Sequence, residues 1–576
     1  MRAYKLHTGK KLPDVLHLQG KRAPEHPVVR EADFFDVAPE CQGQFDLVVG
    51  YPPWAGRGTK QVAQQFMEET PGLLKDNGRA CLLLPSKVFL NQTDAFQARW
   101  LRRVTLERVI QLADYSFILF KEALCPCSIA VFTAQKPDEA THEVEYVAPK
   151  VSCADLRDGV ITFAPRDRKW IPLRSLLAAT DQKAAGIAWK SHLWGTPRDL
   201  KFLDYLFSLP RLNELAGSVP AWRRGDFRWR RGVGFQPMTG KIEKPKRLRW
   251  SLGDRVVSPD TIAGLPAFPE VLADELGTYL TSRKYQLANL RREPPEEIFT
   301  PPIVLWNDGF TDAAFFDYKV RYQHVLHSVS ASASDIDYLL FLACFLRSPL
   351  ARYFVFHTAA SLGAERDKVH NSEALRLPFF LPDSEAARSN ASSVVSRATA
   401  RMSRFIEEMN NSAHILLSKT KEPEFRLRSI DDGADDDGKK ALRTWRRQQR
   451  HKAKRLQASL NSLIYEYFGI NEQERALVED TVDVFDHSDT PSSLEAARRI
   501  PTLQPVDAAG LEPYATMLAN TLNGWATGGL RVCATGGVDA ELGVGLVELN
   551  QTRSVKEFAL GTFPGNSPPP CSGCRR

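Results

Sequence analysis

The sequence lacks the long apolar runs and the dense cysteines of membrane proteins and disulfide scaffolds. Its longest uninterrupted apolar run near the middle, Tyr338 to Leu346, has nine residues. A membrane-spanning helix needs about 20, so this run predicts a buried core segment. Residues Met1 to Gly20 contain no apolar stretch of the kind that a secretory signal has. Nine cysteines in 576 residues are too few for a disulfide scaffold and favour reduced thiols in a cytoplasmic protein.

The composition also excludes several non-globular classes. Hydrophobic residues make up 43% of the chain and charged residues 25%, which is ordinary globular usage and not that of a disordered chain, a collagen-like repeat or a coiled-coil rod. At about 150 residues per domain, the length predicts roughly four domains. The net charge of +7 permits a nucleic-acid partner without requiring one, so the distribution of the charge matters more than its total.

Strands and helices alternate along residues 1–135 and predict an α/β domain. Phe34-Phe35 is predicted as a short strand, and the next apolar strands are Phe45–Gly50, Ala80–Leu84, Arg108–Leu112 and Ser128–Phe132. A helix is predicted between Thr59 and Leu74, and Asn77-Gly78 predicts a turn after it. This order predicts a largely parallel sheet with helices on both faces.

The rest of the chain divides into four further predicted segments. Residues 136–215 form a connecting region, in which Thr196-Pro197-x-Asp199 predicts a capped helix start. Residues 216–380 mix short strands and turns, and residues 381–480 are predicted to be helical, with a capping box at Asn471-x-x-Glu474. Residues 481–576 are predicted as a strand-bearing extension that ends in a disordered tail.

The most informative segment is the strand that runs directly into Tyr51-Pro52-Pro53-Trp54. Two consecutive prolines fix two φ angles and remove two backbone donors, so they form a stiff corner. Open α/β sheets bind ligands at the carboxyl ends of their strands. Trp54 offers a flat aromatic face to a planar group there. Taken alone, such a turn is also typical of a loop that only packs against its neighbours.

With its flanks, this segment resembles the N6-adenine-specific DNA methyltransferases, the amino-methyltransferase class with a C-terminal target-recognition domain. Their signature is a strand followed by Asn, Asp or Ser, two prolines and an aromatic residue. Ala32-Asp33-Phe34-Phe35 is similar to the preceding motif of the family. The segment from Gly72 to Ser86 resembles the helix, strand and proline turn after the signature. The segments from Leu342 to Tyr353 and from Leu375 to Pro378 resemble the target-recognition region, so the likeness covers roughly residues 28–480. It implies a partial doubly wound AdoMet-methyltransferase sheet in residues 1–135 and a mixed α+β target-recognition domain in residues 216–380.

The resemblance implies methyl transfer from S-adenosyl-L-methionine (AdoMet) to adenine N6 in double-stranded DNA. The target adenine must leave the duplex first, and it would stack on Trp54. Tyr51 stands where the family accepts a hydrogen bond from the adenine amino group, beside the backbone of Pro52 and Pro53. By the same resemblance, Asp33 and Phe34 are the cofactor-binding candidates.

Two departures from the family pattern predict an incomplete catalytic domain. A phenol at Tyr51 is a poorer and more distant acceptor than an Asn carbonyl oxygen, and the loss of one positioned group typically costs ~10²–10³ in rate. The glycine-rich AdoMet motif is absent, because Gly9 and Gly20 stand alone before Asp33. A second chain that completes the domain, a truncated gene and a misassigned start are the alternatives. A partial sheet is predicted to expose a hydrophobic strand edge.

Two basic segments are candidates for DNA contact. Between Trp222 and Arg255 eleven basic residues alternate with aromatic residues and only three acids. This pattern is typical of a surface that contacts phosphates and stacks on bases. The same pattern is expected for a solvated pair of strands in which arginine side chains cover tryptophans. The predicted DNA-binding residues are Arg223, Arg224, Arg228, Arg230, Arg231, Lys244, Lys246, Arg247 and Arg249. Lys439 to Arg455 carries nine basic residues and no acid, which favours either a solvated helix or one that follows phosphates.

The remaining signals favour no other chemistry. The acidic residues Asp431 to Asp437 are interpreted as a solvated linker, and the pair Cys571 and Cys574 as incidental, so no metal site is predicted. Cys125 and Cys127 are interpreted as core residues. Two other functions stay open: a catalytically dead DNA-binding remnant or subunit of a restriction-modification or phage-defence system, and a protein-glutamine methyltransferase. Glutamine-modifying enzymes are compact and lack a large C-terminal region, which disfavours that assignment.

Overall fold

The chain forms two compact units that are interleaved in sequence. The computed structural model describes residues 16–17, 29–55, 61–90, 96–119, 125–152, 155–156, 159–177, 184–237, 255–273, 290–292, 294–420, 436–486, 506–539, 544–552 and 559–560. The first unit consists of residues 1–113, 125–149 and 163–189, and the second consists of residues 114–124, 150–162 and 190–576.

These ranges include twenty strands and eighteen α-helices. The strands are β1 Leu16–His17, β2 Val29–Arg30, β3 Phe45–Gly50, β4 Leu74–Pro85, β5 Thr105–Gln111, β6 Cys127–Thr133, β7 Glu143–Val147, β8 Arg168–Pro172, β9 Ala216–Gly217, β10 Trp229–Val233, β11 Gln236–Pro237, β12 Val256–Val257, β13 Leu290–Arg292, β14 Ile303–Asn307, β15 Ala313–Phe316, β16 Arg321–Tyr322, β17 Leu326–Ser330, β18 Arg531–Asp539, β19 Val544–Thr552 and β20 Ala559–Leu560. The helices are α1 Phe34–Val37, α2 Val62–Leu73, α3 Lys87–Leu90, α4 Phe96–Leu101, α5 Ser116–Leu119, α6 Leu173–Leu177, α7 Ala184–Trp194, α8 Pro197–Ser208, α9 Leu212–Leu215, α10 Val219–Arg223, α11 Pro259–Ile262, α12 Ile336–Leu346, α13 Pro349–Thr358, α14 Asn371–Ala374, α15 Ala391–Thr420, α16 Asp436–Phe468, α17 Glu472–Asp480 and α18 Ala508–Trp525.

The first unit is built on a six-stranded sheet with the order β3-β4-β6-β5-β7-β8. The α/β class predicted from the sequence is confirmed. The prediction of a largely parallel sheet is wrong, because β6 runs antiparallel to both of its neighbours and β8 runs antiparallel to β7. Only the pairs β3 with β4 and β5 with β7 are parallel. Antiparallel neighbours need no crossover helix between them. The apolar runs of the sequence do not distinguish antiparallel strands from parallel ones.

The two faces of this sheet differ in exposure. On one face Ala80, Leu82, Phe132 and Tyr146 are fully buried. The other face has a row of side chains that crosses all six strands, and each of them is exposed or half-buried: Val49, Cys81, Val131, Arg108, Glu145 and Trp170. Along this row the sheet is open to solvent, so the prediction that helices cover both faces is wrong there.

A break in the register of β3 and β4 replaces the turn predicted at Asn77-Gly78. Phe45 pairs with Leu74, but Leu47 pairs with Arg79, so β4 bulges between these positions. A Cβ at Gly78 would lie 2.6 Å from the carbonyl oxygen of Phe45. Only glycine permits this close approach of the two backbones.

The predicted strand at Phe34-Phe35 is also wrong, because these residues begin the short helix α1. Asp33 is its N-cap and accepts a hydrogen bond from the backbone N–H of Phe35 at 2.8 Å. An Asp before an apolar pair favours a helix start in this way as much as a strand end.

The second unit has a core of strands and apolar helices. Its five-stranded sheet has the order β15-β14-β17-β10-β9, and the residues of α12 from Leu339 to Leu346 are all buried. The nine-residue apolar run is therefore a core segment, as the sequence predicts. Among the described residues no single helix is long and apolar enough to cross a membrane. Residues Ala333–Leu346 and Pro349–Thr358 pass that test only as a pair bent by 65°.

The described part of residues 381–480 contains a pair of long antiparallel helices, α15 and α16, followed by α17. Arg397 of α15 pairs with Glu466 of α16 at 2.7 Å, and the indole of Trp445 donates to Ser412 at 2.9 Å. The capping boxes predicted at Thr196 and at Asn471 are both present. The C-terminal extension carries β18, β19 and β20, whereas the predicted disordered tail lies outside the described residues.

A buried carboxylate joins β10 to the start of α12. Asp335 accepts hydrogen bonds from the Nε and Nη2 atoms of Arg228 at 2.8 and 2.6 Å and from the indole of Trp229 at 2.9 Å. These bonds, that of Arg228 above all, hold the pKa of Asp335 below its usual range. The charged form of this carboxylate is therefore stabilised by folding.

We expect Asp335→Ala to lower the free energy of unfolding by about 2 kcal/mol, because it leaves the Trp229 indole and the Arg228 guanidinium without their acceptor. The lowered pKa means that this stabilisation is present above the unfolded pKa of about 3.9 and is lost as the pH falls. Urea unfolding at pH 7 and pH 3 measures both effects. Asp337→Ala, at an exposed carboxylate in the first turn of α12, should cost less than about 1 kcal/mol. Equal losses in the two variants would contradict this account.

Candidate functional site

The Tyr-Pro-Pro-Trp corner lies directly after β3, at the carboxyl end of this strand. Pro52 is buried, Pro53 is exposed and Trp54 is half-buried. The indole Nε1 of Trp54 lies 3.5 Å from the carbonyl oxygen of Leu83 in β4. The ring of Tyr51 meets that of Trp54 edge to face, with 5.3 Å between the centroids and 89° between the planes. The sequence-predicted catalytic residues are thus brought together in one aromatic corner.

Tyr51 presents its side chain to solvent, with 63% of it exposed. A phenol can donate or accept a hydrogen bond, so the corner retains a polar group near the Trp54 ring. A planar base could stack on an indole held in this way. The phenol still does not reproduce the short acceptor that the family signature places at this position.

The two predicted cofactor residues are engaged locally. Asp33 caps α1, and the ring of Phe34 stacks on that of Phe66 in α2 at 4.2 Å with an interplanar angle of 19°. The described residues include no glycine-rich turn after a strand beside β3, where the backbone would admit a nucleoside cofactor. The residues present in the described ranges therefore do not fit AdoMet.

Strand β3 forms an open edge of the sheet. Within the described ranges it pairs only with β4. Phe45, Leu47, Val49 and Tyr51 alternate along it and are all exposed, Leu47 to 61% and Val49 to 71%. Alternate residues of a strand share one face, so these four make a continuous apolar stripe. Among the described residues β3 is therefore an edge strand with an exposed apolar face, in agreement with the hydrophobic strand edge predicted from the sequence.

Sequence reasoning missed a buried polar cluster at the carboxyl end of β4. The hydroxyl of Ser86 donates to the side-chain oxygen of Gln111 and lies 2.9 Å from the hydroxyl of Ser128. All three residues are fully buried. Each lies at the end of a different strand, so only the strand order reveals that they meet. The cluster fixes β4, β5 and β6 to one another next to the corner.

Three of the five described arginines that were predicted to contact DNA are paired with acids of the second unit. Arg223 pairs with Glu297, Arg224 with Asp226 at 2.7 Å and Arg228 with Asp335 at 2.6 Å. The hydrogen bond from Arg223 lowers the pKa of Glu297. Arg231 is half-buried. Lys244, Lys246, Arg247 and Arg249 lie outside the described residues.

Arg230 is a core residue, with 7% of its surface exposed. Its guanidinium lies 4.6 Å from the ring centroid of Trp222, and its Nε donates to the hydroxyl of Ser330 at 3.2 Å. Burial lowers its pKa. This placement favours the other interpretation of the segment, in which arginine stems and tryptophans stabilise a strand pair.

The described residues hold no group of three or more side chains that could bind a metal ion. Cys127 is buried, and burial raises the pKa of its thiol to about 12, as expected of a core cysteine. Cys125 is half-buried. Residues Asp431 to Asp435, Cys571 and Cys574 lie outside the described ranges.

No family model and no curated protein matches this chain. Among solved structures, the type IIL restriction-modification enzyme MmeI in complex with DNA is 11% identical, with a TM-score of 0.36, and the match covers 81% of this chain and 61% of that one. The type IIG restriction endonuclease BpuSI is 12% identical, with a TM-score of 0.26 and coverages of 77% and 56%. The type I EcoKI M protein is 14% identical, with a TM-score of 0.18 and coverages of 21% and 28%. The matches span 26% to 33% of the type I chains.

We expect the open edge to drive self-association of the isolated chain, since an unpaired apolar strand edge is a template for further pairing. The double variant Leu47→Lys/Val49→Lys should weaken self-association about tenfold or more, because burial of one such side chain is worth about 1.5–3 kcal/mol. Sedimentation velocity over a concentration series measures this.

The matched control is Val160→Lys/Ile415→Lys, which adds the same charge at two other exposed apolar residues. Its self-association should equal that of the unchanged chain. A protein that stays monomeric at all concentrations would contradict the assignment, as would equal effects in both variants.

Proposed function

We propose that this chain is a cytoplasmic DNA methyltransferase-like protein of a restriction-modification or phage-defence system. The reaction proposed is methylation of adenine N6 at a specific site in double-stranded DNA. We further propose that the chain does not methylate by itself, and that a second polypeptide completes its sheet and supplies the AdoMet site. The proposal rests first on the order of motifs from Asp33 to Ser86 and on the C-terminal segments that resemble a target-recognition region.

One observation carries the proposal: the Tyr51-Pro52-Pro53-Trp54 corner lies at the carboxyl end of a parallel-paired strand. Ligands of open α/β sheets bind at this end. A flipped adenine would stack on Trp54, whose ring is held beside β4. The phenol of Tyr51 and the carbonyl of Pro52 would be the polar groups nearest to the exocyclic amine.

The open edge of β3 supports the need for a second polypeptide. A strand added next to β3 would bring its own carboxyl end beside the corner if it ran parallel. Such a polypeptide would also lie beside the open face of the sheet, where Phe45, Leu47 and Val49 are exposed. The described residues do not fit the cofactor, so the proposal assigns the cofactor site to the added segment.

A second candidate function is a DNA-binding subunit or remnant without catalysis. The observation that favours it is Tyr51, which replaces the short acceptor of the family signature with an exposed phenol. Such a protein would bind duplex DNA and leave it unmethylated in every combination with other chains.

Methylation of plasmid DNA separates the two functions. The chain is expressed alone and together with the reading frames that flank its gene, in a host without adenine methylation, and N6-methyladenine is quantified by mass spectrometry. We expect none from the chain alone and a clear signal from one combination. Leu47→Lys/Val49→Lys should abolish that signal by blocking the added strand.

Trp54→Ala should lower the signal at least about tenfold, because stacking of a base on an aromatic side chain is worth about 1–3 kcal/mol. Trp170→Ala, at an exposed tryptophan on the opposite edge strand β8, is the matched control and should leave the signal unchanged. Tyr51→Asn should raise it. Methylation by the chain alone would contradict the proposed completion, and its absence from every combination would favour the remnant.

A further inference from the structure

A stripe of exposed cations runs along α16 and is unlike the paired arginines of the Trp222–Arg255 segment. Lys440, Arg443, Arg447 and Lys454 are all exposed. No carboxylate of the described part of the chain forms an ion pair with any of them. Arg443 and Arg447 stand four residues apart on the helix, where like charges repel, and an anion bound between them would relieve this repulsion.

The four side chains lie on one side of the helix. At 100° per residue they fall within about 60° of its circumference, and they span 14 residues or about 21 Å along the axis. Trp445, Gln449 and Ala453 lie on the buried side. The charges therefore form a straight row that faces away from the body of the second unit.

Arg446 and Arg450 of the same helix fix its position, whereas Lys452 and Arg455 are exposed outside the stripe. The guanidinium of Arg446 lies 5.5 Å from the ring centroid of Phe268, and burial lowers its pKa. The Nε of Arg450 donates to the carbonyl oxygen of Ala263 at 2.9 Å. Trp445 and Gln449 donate to the hydroxyl of Ser412 at 2.9 and 3.1 Å. The stripe is thus presented by a helix that is held from two sides, so little ordering is required on binding.

We infer that this stripe binds the phosphate backbone of double-stranded DNA. Duplex DNA carries one negative charge per ~1.7 Å of its axis, so 21 Å of duplex offers about 12 phosphates. A rigid linear row of cations matches such a uniform line of charge better than it matches the irregular acids of a protein surface. The choice of DNA among polyanions rests on the proposed function.

The assignment moves the main DNA contact from the Trp222–Arg255 segment to α16. In the former, Arg223, Arg224 and Arg228 already hold carboxylates. Releasing them for phosphate would leave those carboxylates unpaired. The cations of the stripe can contact phosphates without breaking any interaction of the described residues. Contacts of this kind position a protein on a duplex and carry no sequence information.

Equilibrium binding of the full chain to a fluorescent duplex of about 20 base pairs tests the inference over a series of salt concentrations. Arg443→Gln/Arg447→Gln/Lys454→Gln should weaken binding at least about tenfold at low salt. It should also lower the slope of log K against log salt by about 2 to 3, near one unit per phosphate contact removed. Circular dichroism and urea unfolding establish that the variant is folded.

The control Arg174→Gln/Arg198→Gln/Lys201→Gln removes the same charge at three other exposed cations and should change neither the affinity nor the slope. Equal losses in both variants, or no loss in the stripe variant, would overturn the inference. Tighter binding of a single-stranded RNA of equal length would overturn the choice of duplex DNA. Methylation is not read in this experiment, so its outcome is independent of the test of the proposed function.

Discussion

The unpaired edge of β3 is the constraint on which the proposed function of this protein depends. A strand inside a sheet satisfies its backbone groups on both sides, whereas β3 pairs with β4 alone among the described residues. Phe45, Leu47 and Val49 alternate along it and are exposed on the open face of the sheet, so among the described residues this face is uncovered as well as the edge. The aromatic corner is attached to the end of this strand, so whatever pairs with β3 also sets the environment of Tyr51 and Trp54.

Some cationic side chains of the second unit are paired or buried within it, whereas others face solvent. Asp335 holds Arg228 at the junction of β10 and α12, and burial of Arg230 removes a further cation from the surface. By contrast, α16 uses Arg446 and Arg450 to attach itself and leaves a row of cations toward solvent. The modest net charge of +7 therefore does not indicate where an anionic partner would bind. Arginines in similar basic segments are paired internally in one case and face solvent in the other.

Much of the architecture follows from local patterns in the sequence. The strand Phe45–Gly50, the capped helix starts at Thr196 and Asn471 and the buried run of α12 all follow from periodicity and capping chemistry. The direction of the strands could not be predicted, because an apolar run has the same sequence pattern in parallel and antiparallel pairs. The role of Asp33 was missed since an N-cap and a strand-ending acid look alike. The pairing of Arg223 and Arg228 with distant acids, and the Ser86 cluster, depend on tertiary contacts that spacing does not encode.

The most direct test of the open edge is hydrogen exchange of the isolated chain, followed by mass spectrometry or NMR. Amides of an unpaired strand edge exchange through local openings, whereas those of an internal strand need larger ones. We predict that the alternate amides of Phe45 to Gly50 that point away from β4 exchange much faster than the amides of Ala80 to Leu84 in β4. Addition of the polypeptide that completes the sheet should slow the first set to the rate of the second. Equal protection of both strands in the isolated chain would contradict the central claim that β3 is an open edge.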